Sequence, residues 1–250
     1  MRSLSCIALL LFSTTAFAQG EPPEFHKFQV GLNFSPDIGY RVLKNNDGSS
    51  ASNYVITSRD EREIVKPGFT SGLNVIYNFN TKFGIELGIQ YSAKGYQTPK
   101  ESGRYGSMID PRTGFYYSPG GRVPTAFKLV WTDHYLDIPL KVNYLAGKRK
   151  IRFIASAGIV TNVFMKETVT AIVEYEDGSR DKNRRKTTDD YNRIDLSPML
   201  SAGIDWQLGN RSNIRIEPTA RYGVLKIIND PVTGYLWTAG LNISYYLGFK

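Results

Sequence analysis

Few residues in this sequence combine the type and the neighbours that covalent chemistry needs. There are two histidines, His26 and His134, and one cysteine, Cys6. A hydrolytic site would want His134 within reach of a serine or a carboxylate, one to be activated and the other to orient the ring. Asp133 adjoins His134 in the sequence, but consecutive residues of a strand point to opposite faces, so the pair is not expected to meet. The sequence holds no metal-ligand spacing, glycine-rich phosphate loop or nucleophile elbow. No cofactor or metal is expected, and the reading is non-enzymatic.

Two sets of charges and one set of tyrosines invite a different chemistry, that of contact. The first set is Asp37, Arg41, Glu86, Asp133, Asp137, Lys141, Arg152, Asp195, Asp205, Arg215, Glu217 and Arg221, scattered in order but each set among alternating polar and apolar residues. The second is the run Arg180, Lys182, Arg184, Arg185 and Lys186, within a charged stretch over residues 171–191. Arginine matches phosphate geometry, so this run is a candidate phosphate-binding patch; the plainer reading is a solvated loop whose charges keep an exposed strand edge from pairing. Tyr96, Tyr105, Tyr116 and Tyr117 lie among glycine and arginine in a loop expected over residues 95–129. They offer contact area with a polar tip.

The elements that carry these residues are read from period two. From Tyr235 onward every second residue, Trp237, Ala239, Leu241, Ile243, Tyr245, Leu247 and Phe249, is apolar, while those between are mostly polar or glycine. Such segregation describes one strand between two different solvents. Aromatics near both ends and aliphatics in the middle suit a strand crossing a bilayer. Seven earlier segments repeat the pattern, beginning near His26, Phe69, Phe83, Val130, Ile151, Ile194 and Ile214. The one from Ile151 is untidy, because Ile154, Val160 and Phe164 fall on the face where polar groups belong. A polar loop is expected over residues 44–66, and short turns after the second, fourth and sixth strands.

Eight strands with alternating long and short connections predict an all-β fold, an eight-stranded antiparallel up-and-down transmembrane β-barrel with both termini on the short-turn side. The rival is a soluble lipocalin-type barrel with the apolar face turned inward around a ligand. Strands of twelve residues or more, and charges of both signs on the polar face, favour the membrane barrel. An eight-stranded lumen is only wide enough for side chains to fill. The first charged set is then a salt-bridged plug, with a narrow gated path or a polar ligand site as the functional alternative.

Composition is consistent with export. Arg2, an apolar run from Leu4 to Phe12 and Ala16-Phe17-Ala18 read as a secretory signal over residues 1–18, leaving a barrel over residues 19–250 without a thiol. The mean hydropathy of -0.30 does not argue against membrane insertion, because alternation cancels the average. The formal charge of +8 suits an anionic partner, for an exported protein a lipid or surface glycan rather than nucleic acid.

The strand from Trp131 contains Tyr135-Leu136-Asp137-Ile138-Pro139-Leu140, which resembles the YLEIPL strand of the PorT-like outer-membrane β-barrel proteins of Bacteroidetes, with Asp137 where the family more often has Glu. The resemblance implies an outer-membrane location and a non-enzymatic role in secretion, envelope organisation or surface binding. The alternative is an outer-membrane enzyme acting on lipid or peptide at the barrel rim. The expected partners are outer-membrane lipid, including lipopolysaccharide, and a protein at the outer loops or periplasmic turns.

Overall fold

In the computed structural model the described residues are 25–102, 124–188 and 191–249. The expected signal segment therefore lies outside them, as do Tyr105, Tyr116 and Tyr117. The elements in order are β1 (Phe28–Asn45), α1 (Ser50–Asp60), β2 (Ile64–Asn78), β3 (Phe83–Gln97), β4 (Glu101–Ser102), β5 (Pro124–Ala146), β6 (Ile151–Tyr175), β7 (Arg180–Thr187), β8 (Ile194–Gln207), β9 (Ser212–Tyr222) and β10 (Val232–Phe249). Eight of these strands close a ring, β1-β2-β3-β5-β6-β8-β9-β10, each antiparallel to its neighbours, with β10 returning to β1. Closure leaves no unpaired edge within the ring.

The ring is packed inside out relative to a soluble barrel. Leu32, Ile89 and Leu200 are 63%, 63% and 67% exposed, whereas Glu86, Asp205, Arg215 and Glu217 are at 0%. This orientation excludes the lipocalin-type alternative. The outward aliphatics lie between two aromatic belts. At the short-turn end, here called lower, Phe28 meets Tyr77 edge-on at 5.0 Å and Phe83 meets Tyr144 at 5.1 Å. Toward the upper end Phe34, Phe69, Tyr91 and His134 form a continuous chain with ring spacings of 6.2, 5.8 and 5.9 Å. Rings with an apolar body and a polar tip suit the two membrane–water boundaries.

The untidy strand is explained by what it faces. Ile154 and Val160 are at 0% and 1% exposure within the lumen, and Phe164 packs with Tyr135, Ile227 and Leu236 beneath Tyr191. Tyr135 meets Phe164 at 5.5 Å, and Phe164 stacks on Tyr191 at 4.4 Å. A largely polar lumen thus holds single apolar side chains and, near its upper mouth, a small apolar cluster.

Three connections depart from the sequence expectation. The loop over residues 44–66 contains α1, whose Ser49 side chain accepts from the Ser52 amide as its N-cap. The loop over residues 95–129 is shorter, because β3 runs to Gln97 and β5 begins at Pro124. The charged stretch over residues 171–191 is mostly a hairpin. In it β6 continues to Tyr175, Gly178 turns with φ of 79°, and β7 pairs back along β6 from Arg180↔Glu174 to Thr187↔Glu167. A left-handed turn residue of this kind favours glycine. With β4 pairing to β5 at Glu101↔Phe127 and Ser102↔Ala126, the upper parts of β5 and β6 form the middle of a four-stranded sheet that rises above the ring.

Close approach of strands inside the ring requires small residues at some lumen positions. A Cβ at Gly203 would strike the Ile216 carbonyl oxygen and lie 2.9 Å from the Glu217 Cα. Neither backbone atom can rotate away, so Gly203→Val is expected to cost about 1–3 kcal/mol. The lowered midpoint should be read from urea unfolding in lipid vesicles.

Candidate functional site: a plugged lumen and a raised basic sheet

The lumen charges are assembled in tiers by the register of neighbouring strands. Lowest is Asp205, which takes Arg152 Nη2 at 2.6 Å and Arg215 Nε at 2.9 Å. Above it Lys141 Nζ lies 3.0 Å from Glu86 and 3.7 Å from Glu217, while Arg215 Nη1 reaches Glu86 at 3.6 Å. Tyr246 donates its hydroxyl to Glu86 at 2.8 Å, Ser156 and Ser201 donate to Glu217 at 3.0 and 2.8 Å, and the Arg215 guanidinium lies 4.8 Å from the Tyr246 ring centroid. These partners matter because a buried ion pair is tolerable only when the remaining donors and acceptors are also engaged.

The upper tiers are held by mixed ion pairs and neutral donors. Asp37 accepts from Ser35 and Thr70 at 2.6 Å each and pairs with Arg221 at 3.3 Å. Lys94 bridges Asp137 at 2.9 Å and Asn162 at 2.6 Å. Asp195 is held by hydrogen bonds from Asn162, Ser197 and the Leu225 amide. Between Lys94, Asp195 and Arg221 the cavity is about 10 Å³, room for at most a single water.

At the mouth, Arg41 makes a two-pronged bond to Glu63, at 2.9 and 2.5 Å, and covers the Tyr96 ring at 3.7 Å; Tyr96 in turn stacks on Trp131 at 5.0 Å. Tyr96 is therefore an interior residue, which corrects its sequence placement in a contact loop. The β3 strand simply extends farther than its tidy alternation suggests. Asp133 is buried nearby, and its Oδ1 has no hydrogen-bond partner among the described residues. Tyr191 donates to Glu167 at 2.6 Å, and burial raises its phenol pKa.

All twelve residues of the first set, Asp37, Arg41, Glu86, Asp133, Asp137, Lys141, Arg152, Asp195, Asp205, Arg215, Glu217 and Arg221, thus line the lumen or its mouth. Lys94, Glu63 and Tyr246 were missed as their partners. Lys94 and Tyr246 do sit on the polar register of their strands, but Glu63 lies between α1 and β2 and carries no local signal.

The second charged set is divided by the pleat of β7. Arg180, Lys182, Arg184 and Lys186 stand opposite Glu174, Ile172, Thr170 and Thr168 of β6, on one face; Arg185 stands opposite Val169 on the other. The first face is the outward one, because His134 of the outer belt bonds Thr168 at 3.1 Å. The Glu174 carboxylate on that face takes Lys100 and, at 2.6 Å, Arg180. Hydrogen bonding from Lys100, then the charge of Arg180, holds its pKa below the usual value. The five basic residues are accordingly a strand with two different faces rather than a loop patch.

His134 has a second contact that sequence adjacency does not indicate. The Tyr91 hydroxyl lies 2.5 Å from its Nδ1, so a Tyr91–His134–Thr168 chain runs along the outer surface at the upper belt. Among the described residues no group of three or more histidine, cysteine, aspartate or glutamate side chains could hold a metal ion.

Comparison with known proteins gives a family match and distant structural likenesses. Residues 17–224 match the family model described as "Outer membrane protein beta-barrel domain". No curated protein matches the chain. Similar solved structures include the Neisserial surface protein A, at 13% identity over 89% of this chain and 97% of that one, with a TM-score of 0.42. OprG from Pseudomonas aeruginosa is 12% identical over 93% and 100%, with a TM-score of 0.44. The outer membrane protease OmpT from Escherichia coli is 10% identical over 89% and 96%, with a TM-score of 0.38. Likenesses at these values say nothing of a shared activity.

The tiers make a direct prediction. Lys141→Met leaves Glu86 and Glu217 facing each other with less counter-charge, and should destabilise the barrel by about 3–5 kcal/mol. The check is the urea midpoint in vesicles, and the double variant with Glu217→Met should recover part of the loss.

Proposed function

The chain belongs to the outer membrane beta-barrel family, and from that premise we propose that it is a non-enzymatic, non-conducting anchor whose working surface is the sheet raised on β5 and β6. The protein is located in the outer membrane, with the short turns read as periplasmic and the raised sheet as extracellular. The observation that carries the proposal is the contrast between the two ends of β5 and β6. Below the upper belt their inward side chains are committed to ion pairs and packing that close the lumen. Above it the same strands continue to Pro124 and Tyr175 and gain β4 and β7, forming a surface the ring does not need for closure.

The finer assignment is to the PorT-like members, and it rests on Tyr135–Leu140 in β5. Within that assignment the raised sheet serves secretion, envelope organisation or surface binding, through a protein partner or the lipid around it. Replacing residues 172–183 with a two-residue turn should leave an outer-membrane barrel that still migrates faster unheated than boiled in detergent gels, while the phenotype of the deletion strain is not rescued. Purified wild-type protein in planar bilayers should show no steady conductance.

A second reading, an enzyme acting on lipid or peptide at the rim, is favoured by one observation, the Tyr91–His134–Thr168 chain. Incubating the purified barrel with glycolipid and with a peptide should release neither fatty acid nor fragments. Release that vanishes in His134→Ala would instead establish the enzyme.

A further inference from the structure

We infer that the outward face of β7, together with Lys166 of β6, is a binding surface for the phosphate groups of the outer-leaflet glycolipid. The inference deepens the reading of the raised sheet as the working surface and rests on its extracellular placement.

Three observations carry it. First, the cations are sorted by face: Arg180, Lys182, Arg184 and Lys186 share the outward side, whereas Asp181, Asn183 and Arg185 share the other. A strand whose charges served only to keep an edge from pairing would have no need of that sorting. Second, the cations are available. Lys182, Arg184 and Lys186 are exposed, and among the described residues they and Lys166 form no ion pair; Arg180 alone is engaged, by Glu174. Third, the face continues the lipid-facing wall. Lys166 pairs with His134 in the upper belt, and Lys186 pairs with Thr168, to which His134 is bonded. Any lipid packed against Tyr91 and His134 therefore brings its head group to the foot of this patch.

The height of the patch selects the lipid. From Lys186 to Arg180 is six residues, roughly 20 Å along the strand. A phospholipid carries its phosphate in one plane near the hydrocarbon boundary and would meet only Lys166 and Lys186. A glycolipid with phosphates on successive sugars presents anions at several levels, matching a ladder of cations that climbs away from the membrane. Arginine and lysine both serve phosphate, the former by two parallel hydrogen bonds.

Arg184 and Arg185 provide the test, being adjacent, chemically identical and on opposite faces. The full-length barrel in detergent is titrated with purified lipopolysaccharide and with the same material after enzymatic removal of its phosphates. Arg184→Glu should weaken binding of the phosphorylated form about tenfold, and Arg185→Glu should stay within about twofold of wild type. Dephosphorylated glycolipid should bind wild type and Arg184→Glu alike. Equal losses in the two variants, no loss in Arg184→Glu, or an affinity indifferent to dephosphorylation would each overturn the proposal. Both variants should retain the unheated gel mobility of the folded barrel, and if Arg184→Glu does not, Arg184→Gln replaces it with an expected loss in the same direction. The underlying placement is tested apart, by labelling Asn183→Cys with a membrane-impermeant maleimide. Labelling only after cell lysis would refute the extracellular reading whatever the titration gave.

Discussion

An eight-stranded ring has room inside for side chains and little else, so charges turned inward are held there by counter-charges or by neutral hydrogen-bond donors. The rest of this structure depends on that constraint. Arg215 is completely buried, yet it is engaged by Asp205 and Glu86 and lies over Tyr246, while Lys141 is shared between Glu86 and Glu217. These residues come from β3, β5, β9 and others across the ring, so the polar lumen joins strands that the backbone ladder links only to immediate neighbours. Desolvation offsets much of the ionic attraction within such a lumen.

The same constraint divides the molecule into two regions. Below the upper belt, inward groups bond mostly to one another and outward groups face lipid. Above the belt β5 and β6 outrun their neighbours. The neighbouring connections are tied down there too. Arg41 reaches Glu63 just after α1, and Tyr191, between β7 and β8, stacks on Phe164. The sheet thus stands on an internally braced mouth.

Much of the fold was legible because alternation is a local property of a strand. A run such as Phe83, Ile85, Leu87, Ile89 and Tyr91 declares one greasy face wherever it is placed. The contradictions arose where that signal was missing or misleading. Strand β7 has polar residues on both faces and is a strand only because β6 offers it hydrogen bonds. Helix α1 has no apolar stripe, and its one sequence signal is the cap at Ser49, hidden within a run of turn-forming residues. Ile154, Val160 and Phe164 blurred the alternation of β6 because part of the lumen is apolar.

Local pattern was enough to give the number of ring strands, the alternation of long and short connections and the faces of the regular runs, since each follows from period two and from turn residues read in place. Which charges pair, that Tyr96 turns into the mouth beneath Arg41, that Lys94 bridges Asp137 and Asn162, and that four of five basic residues share one face came with the folded ring. The physical reason is register. Sliding one strand past another leaves every local pattern intact while changing every partner, so partnership is settled only when the ring closes and β10 meets β1.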